Sequence, residues 1–147
     1  MRGPDCIFCR IVRRTVDALI IHEDAHTISF LPLEPAVVGH TLLVPKEHHD
    51  DIFSIPSDLL SQLMSSAQAH ARHWRHHVGT SGVNVLHASG IAAEQSVFHF
   101  HFHFHFHLFP RFAGDGLRTW PALPRPAGTR EEMHATFRLG PEHESLD

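Results

Sequence analysis

The sequence predicts an α+β domain in which an antiparallel sheet packs on one principal helix. Short β-like runs parted by turn residues occupy 19–45, one long segment from Pro56 carries helical apolar spacing, and Val97–Phe109 alternates with a period of two. At 147 residues with 42% hydrophobic and 19% charged content, the chain suits one domain with a real core and excludes a multidomain enzyme or a disordered tract.

Leu19–His22 and Thr27–Leu31 read as the strands of a hairpin turned at Glu23-Asp24, and Pro32, Pro35 and Gly39 then interrupt regular structure. His40–Val44 reads as a third strand ended by Pro45. Ser57 caps the expected helix, whose apolar positions Leu59, Leu60, Leu63, Met64, Ala67 and Ala71 run toward His70 and Trp74, with Gly79 and Gly82 terminating it. His70, His73, His76 and His77 read as a solvated flank of that helix. Val83–His87 suits a strand, followed by a Gly-containing loop from Ser89 to Gln95. After Pro110-Arg111 the chain turns rich in Pro and Gly, and 131–139 reads as a short strand or a short helix.

Twelve Lys+Arg against 16 Asp+Glu, a net charge of −4, argues against wholesale binding to a nucleic-acid backbone, although a small phosphate pocket needs no net positive charge. No charged start leads into an apolar run and no apolar stretch approaches the roughly 20 residues that span a bilayer, so the expectation is a cytoplasmic protein, with no direct sign of a nucleic-acid or membrane partner. Gly-rich nucleotide fingerprints and a GxxxxGK loop are absent, so any nucleotide chemistry uses another device.

That device is the His row. His99, His101, His103, His105 and His107 alternate with Phe98, Phe100, Phe102, Phe104 and Phe106, so a strand presents imidazoles on one face and phenyl rings on the other. Alternate residues stand about 6.6 Å apart, so two or three of the five can attend one reacting atom. A neutral imidazole can attack phosphorus while its second nitrogen donates to a carbonyl, and a neighbour can protonate the leaving group. From alternation alone, a metal-chelating tract and a plain structural strand remain alternatives. Cys6 and Cys9 form one CxxC, compatible with a redox pair, half a metal site or two buried thiols.

Three segments in order, Cys6-Ile-Phe-Cys9, Gly39-His40-Thr-Leu-Leu-Val-Pro-Lys46-Glu-His48 and Gln95-Ser-Val-Phe-His-Phe-His-Phe-His103, resemble the histidine-triad (HIT) family of nucleotide hydrolases and transferases. The resemblance covers roughly residues 5–111 and implies an α+β HIT-like fold, a homodimer, and a covalent nucleotidyl-histidine intermediate formed at the α-phosphorus of a purine nucleotide conjugate. Counted from Gln95-Ser96, it makes His101 the nucleophile, with His103 holding phosphate or the leaving group and His40 supporting the triad from a neighbouring strand. Gln95 and Ser96 match the phosphate-contacting positions, Ser89 and Gly90 match the polar residue and glycine that precede the phosphate loop on the substrate side, and Phe8, Phe30 and Leu31 would wall the base. Pro32 stands where several family members place an Asp for the ribose, and the usual Asn is missing at 88 and 89.

The family triad ordinarily runs through two apolar residues into Pro-Arg, yet here Pro110-Arg111 follows His107, so four extra residues lie between the two anchors. Read backward from Pro110, the triad would be His103, His105 and His107, with His105 as the alternative nucleophile. An even insertion keeps both faces, so patterning does not choose. The upstream register is the expectation, because the phosphate loop should set the position of attack and the alternative moves it about 13 Å along an extended strand.

In the zinc-containing branch, residues matching Cys6, Cys9, His48 and His99 bind one structural Zn2+ as a closed Cys2His2 site. The resemblance thus implies a catalytic domain over 1–111 and a C-terminal extension over 112–147 packed on that domain or on the dimer partner. It implies a phosphoramidase or dinucleoside polyphosphate hydrolase with no organic cofactor. The alternative is a non-catalytic nucleotide-binding or histidine-rich metal-binding protein.

Overall fold

The computed structural model describes residues 6–95, 103–120 and 122–140. It divides into two compact units, Met1–Asp115 and Gly116–Asp147. In the first, the elements run α1 (Ile7–Val12), β1 (Leu19–Glu23), β2 (Thr27–Leu31), β3 (Thr41–Pro45), α2 (Ser57–His77), β4 (Gly82–Leu86) and β5 (Phe106–Arg111), with a short 3-10 turn at Ile91–Ala93. The five strands form one sheet in the order β1-β2-β3-β5-β4, every pairing antiparallel. This is the expected α+β architecture with one dominant helix.

Two apolar layers cover the sheet. On one face Leu59, Leu63, Ala67 and Trp74 of α2 meet Leu43, Phe104, Phe106 and Leu108. On the other, Phe8 and Ile11 of α1 meet Ile28, Phe30, Leu42 and Val44. Burying a side chain of this size contributes about 1.5–3 kcal/mol, so the α1 face has the means to hold a six-residue helix that would not form alone. Residues 7–12 carry no local helical signal for that reason: the stability of α1 is tertiary.

Several expectations need correction. Helix α2 takes Pro56 as its cap residue, with no side-chain cap bond, and Ser57 is its first helical residue. Met64 is exposed, since its position turns away from the sheet. His70 is buried, not solvated: its Nδ1–H donates to the Ser66 carbonyl at 2.7 Å and its Nε2 accepts the Ser29 hydroxyl at 2.7 Å. His73, His76 and His77 are exposed as expected. The long strand expected over Val97–Phe109 begins its ladder only at Phe106, and 96–102 lie outside the described residues.

In the second unit, α3 (Arg130–Phe137) settles the strand-or-helix alternative as helix. Thr129 Oγ1 accepts the Glu132 amide at 3.1 Å while Glu132 Oε2 accepts the Thr129 amide at 2.7 Å, a reciprocal cap that starts the helix without any buried face. Among the described residues, no helix is long and apolar enough to cross a membrane.

Candidate active site and metal centre

Strand β5 sits in the sheet interior between β3 and β4, with Leu42 and Leu86 both opposite His107. Phe104, Phe106 and Leu108 therefore face α2, and the alternate residues His103, His105 and His107 face the α1 side. Phe8 of α1 stands edge-on to both His103 and His105, with ring centroids 5.5 and 5.4 Å away.

His103 belongs to a compact four-ligand cluster with Cys6, Cys9 and His48, whose donor atoms all lie within 4.8 Å of one another. Its Nδ1 lies 3.3 Å from Cys6 Sγ and 3.7 Å from Cys9 Sγ, and His48 Nδ1 lies 3.2 Å from Cys9 Sγ. Tetrahedral zinc with ordinary bond lengths requires S···N edges of roughly 3.5 Å, so the donor set fits such an ion. The outer nitrogens fit as well: His103 Nε2–H donates to the Pro45 carbonyl at 2.9 Å and His48 Nε2–H to Asp50 Oδ1 at 2.9 Å, leaving both Nδ1 lone pairs toward the thiols. Burial, and then the neighbouring Cys6, push the Cys9 thiol up to about 11, so metal binding would displace a proton from it. His49 turns its ring toward Glu47 instead, 3.2 Å from the carboxylate.

The next two histidines of the row, His105 and His107, form a hydrogen-bonded line with His40. The Ala36 amide donates to His40 Nδ1 at 3.0 Å, so the His40 proton is on Nε2, which donates to His107 Nδ1 at 2.9 Å. The His107 proton is then on Nε2, which donates to His105 Nε2 at 3.2 Å, while His105 Nδ1–H donates to the His103 carbonyl at 2.8 Å. Each tautomer follows from its neighbour once the rings are neutral. Burial holds them neutral, pushing His105 and His107 down to about 4 and moving His40 down as well. The line ends on a neutral imidazole whose Nε2 carries a lone pair.

Gly39 is the hinge of this arrangement. Its φ of +80° suits glycine, and a Cβ there would stand 2.6 Å from Pro110 Cγ, so only glycine lets β3 begin close enough to β5 to join His40 to His107.

The expected site residues divide sharply. His99, His101 and Ser96 lie outside the described residues. His103, expected beside phosphate, has both ring nitrogens directed elsewhere, one to the thiols and one to Pro45. Among the described residues, the fourth donor beside Cys6, Cys9 and His48 is His103, four residues beyond His99. Gln95 uses its side chain to brace the loop: Oε1 accepts the Gly90 amide at 2.7 Å and Nε2 donates to the Asp50 carbonyl at 2.6 Å. Ser89 Oγ accepts the Ile52 amide at 2.8 Å. Phe30 is packed in the layer beneath α1, and Leu31 is half-buried at the end of β2. Arg111 makes a paired contact with Asp115 at 2.8 and 2.9 Å and reaches Asn84 Oδ1 at 2.8 Å, which ties the end of β5. Sequence reasoning missed Asp50 and His87; Asp50, two residues after His48, is legible only as an outer partner once His48 is known to be a ligand.

A family model described as "HIT domain" matches residues 13–114. The chain is 35% identical over 111 residues to a HIT-like protein of Methanocaldococcus jannaschii, covering 76% of this chain and 82% of that one. It is 34% identical over 115 residues to "Protein hit" of Bacillus subtilis, covering 78% and 77%. Among solved structures it is similar to a Zn-bound histidine triad family protein from Mycobacterium smegmatis, with 34% identity, a TM-score of 0.72 and coverage of 87% and 86%. A histidine triad nucleotide-binding protein from Candida albicans is also similar, with 29% identity, a TM-score of 0.74 and coverage of 97% and 94%.

Proposed function

Since the chain belongs to the histidine-triad (HIT) family, we propose that it is a nucleotide hydrolase or nucleotidyltransferase whose nucleophile is His105. The observation that carries this reading is the line of neutral imidazoles ending on His105 Nε2, braced through His107 by His40. The lone pair of Nε2 forms a bond to the α-phosphorus of an adenosine phosphoramidate or dinucleoside polyphosphate, and the bond from phosphorus to the leaving nitrogen or oxygen breaks. His107 Nε2–H, which donates to that lone pair in the resting site, turns to a phosphate oxygen or the departing group as phosphorus approaches, which frees the lone pair for attack and gives the leaving group its proton. Water then cleaves the N–P bond, releasing nucleoside monophosphate and restoring the imidazole. Attack by His105 in place of His101 keeps the order of residues from β5 to Pro110-Arg111 and puts the four extra residues between Gln95 and His103.

Cys6, Cys9, His48 and His103 would hold a structural zinc ion. When bound, it supplies four closed coordination bonds and no open position for water. The protein's share is to fix α1 and Phe8 beside His105.

Mass mapping of a rapidly quenched reaction with an adenosine phosphoramidate, under conditions that preserve phosphohistidine, tests the reading. The expected adduct is on His105. An adduct on His101 would return the site to the upstream register, and absence of both adduct and product would favour a binding protein.

A further inference from the structure

His87 takes no part in the reaction above, yet it touches the reacting residue from behind. The ladder between β4 and β5 stops at the Leu86–His107 pair, so His87 lies one residue past β4 and His105 one residue before β5. The imidazole of His87 bridges that gap. Its Nδ1–H donates to the His105 carbonyl at 2.8 Å, which fixes the proton on Nδ1 and leaves Nε2 to accept the Ser89 hydroxyl at 2.5 Å. Ser89 Oγ in turn accepts the Ile52 amide at 2.8 Å. The ring stacks on Phe104 with centroids 4.2 Å apart and planes at 26°, and stands edge-on to Phe106 at 5.8 Å. Two hydrogen bonds and two ring contacts thus hold one half-buried side chain in one orientation.

We infer that His87 is a positioning residue for the nucleophile, an assignment that rests on the reading of His105 above. The His105 ring is held at Nδ1 by the His103 carbonyl, while His87 holds the His105 carbonyl beyond the end of the ladder. Together they set where Nε2 stands relative to an incoming phosphorus. In-line attack is sensitive to that setting, since a misplacement of about 1 Å costs on the order of 100-fold in rate. Apolar packing alone does not replace the device. An apolar side chain at 87 would still cover Phe104 but would leave the carbonyl and the Ser89 hydroxyl without their partner, whereas glutamine carries a donor and an acceptor that can serve both.

The test compares wild type, His87→Met, His87→Gln and His105→Asn by kcat, KM and His105 adduct formation with an adenosine phosphoramidate, per folded molecule, with Tm recorded for each. Expected is a fall in kcat of about 10- to 100-fold for His87→Met, with KM within about twofold, and recovery of most of that loss by His87→Gln. Should His87→Met not fold, His87→Glu, which keeps the shape of glutamine without the N–H, makes the same comparison. Wild-type kcat in His87→Met, or a loss that glutamine does not recover, overturns the role of His87. No His105 adduct and no product from wild type, or undiminished turnover by His105→Asn, overturns instead the reading of the site.

Discussion

Phe104, Phe106 and Leu108 alternate along the chain with His103, His105 and His107, and all but the half-buried His107 are withdrawn from solvent, yet the two faces differ in kind. The phenyl face meets α2 through shape and area, where neighbours exchange with modest cost if volume is kept. The imidazole face meets named atoms: two thiols, two backbone carbonyls and His40. Binary patterning places a residue on a face, whereas directed hydrogen bonds and ligands choose which residue on that face does which task.

The largest difference should appear on substituting one residue from each set. His105→Asn is expected to lower turnover by at least about 1000-fold with little change in Tm, since it removes the proposed attacking atom and leaves the packing. Steady-state rates and thermal melts of the same preparation check both halves. Phe104→Ala should act first on stability, costing about 3–5 kcal/mol by opening a cavity in the layer under α2, and should slow turnover only as far as it loosens the His87 ring stacked on it. Urea unfolding measures it, and a loss under about 1 kcal/mol would mean that the phenyl face is less tightly packed than its burial implies. In protein loaded with zinc, Cys9→Ser should weaken metal binding at the candidate cluster and destabilise by roughly 3 kcal/mol, with metal content falling in step with Tm. Full metal retention in that variant would break the assignment of the cluster. Gly39→Ala should cost more than about 1 kcal/mol from backbone strain and also slow turnover, because the clash with Pro110 shifts His40 away from His107. Unchanged activity would separate His40 from the line.

The same contrast explains what was legible beforehand. The sheet, the hairpin β1–β2 and helix α2 follow from period and punctuation, which are local, and the sequence shows them. Helix α1 was not legible because Phe8 and Ile11 are helical only against Ile28, Phe30 and Val44, contacts remote in sequence. The register of the His row was not legible for a related reason. Moving by four residues returns every side chain to its own face, so only partners outside the strand discriminate, and those on the described residues are Cys6, Cys9 and His48 around His103 and His40 against His107. The motif position of Gln95 points to phosphate, and the structure adds that its side chain also braces the loop through Gly90 and Asp50, a contact that a side chain's identity does not announce. His70 reads as a solvated helix residue until Ser29 on β2 is brought opposite it.

That buried pair offers the gentlest way to sharpen the contrast, because it is a directed polar contact set inside the α2 layer. Burial moves the His70 imidazole down from its ordinary value, chiefly by desolvating the charged form. In the unfolded chain the same ring titrates near 6.5. As pH falls below that value the unfolded state takes up a proton that the folded state still refuses, so the His70 contribution is fully present above about 6.5 and is lost as pH falls toward the depressed folded value. Replacing both partners at once, His70→Leu with Ser29→Ala, leaves no orphaned hydroxyl and should change stability at pH 7.5 by less than about 1 kcal/mol. At pH 5 the double variant should lose less stability than wild type, its proton uptake on unfolding reduced by up to about one. Urea midpoints at the two pH values make the comparison. Equal acid losses in the two proteins would mean that His70 is protonated within the fold, and that the polar pair is not held as tightly as its two 2.7 Å contacts imply.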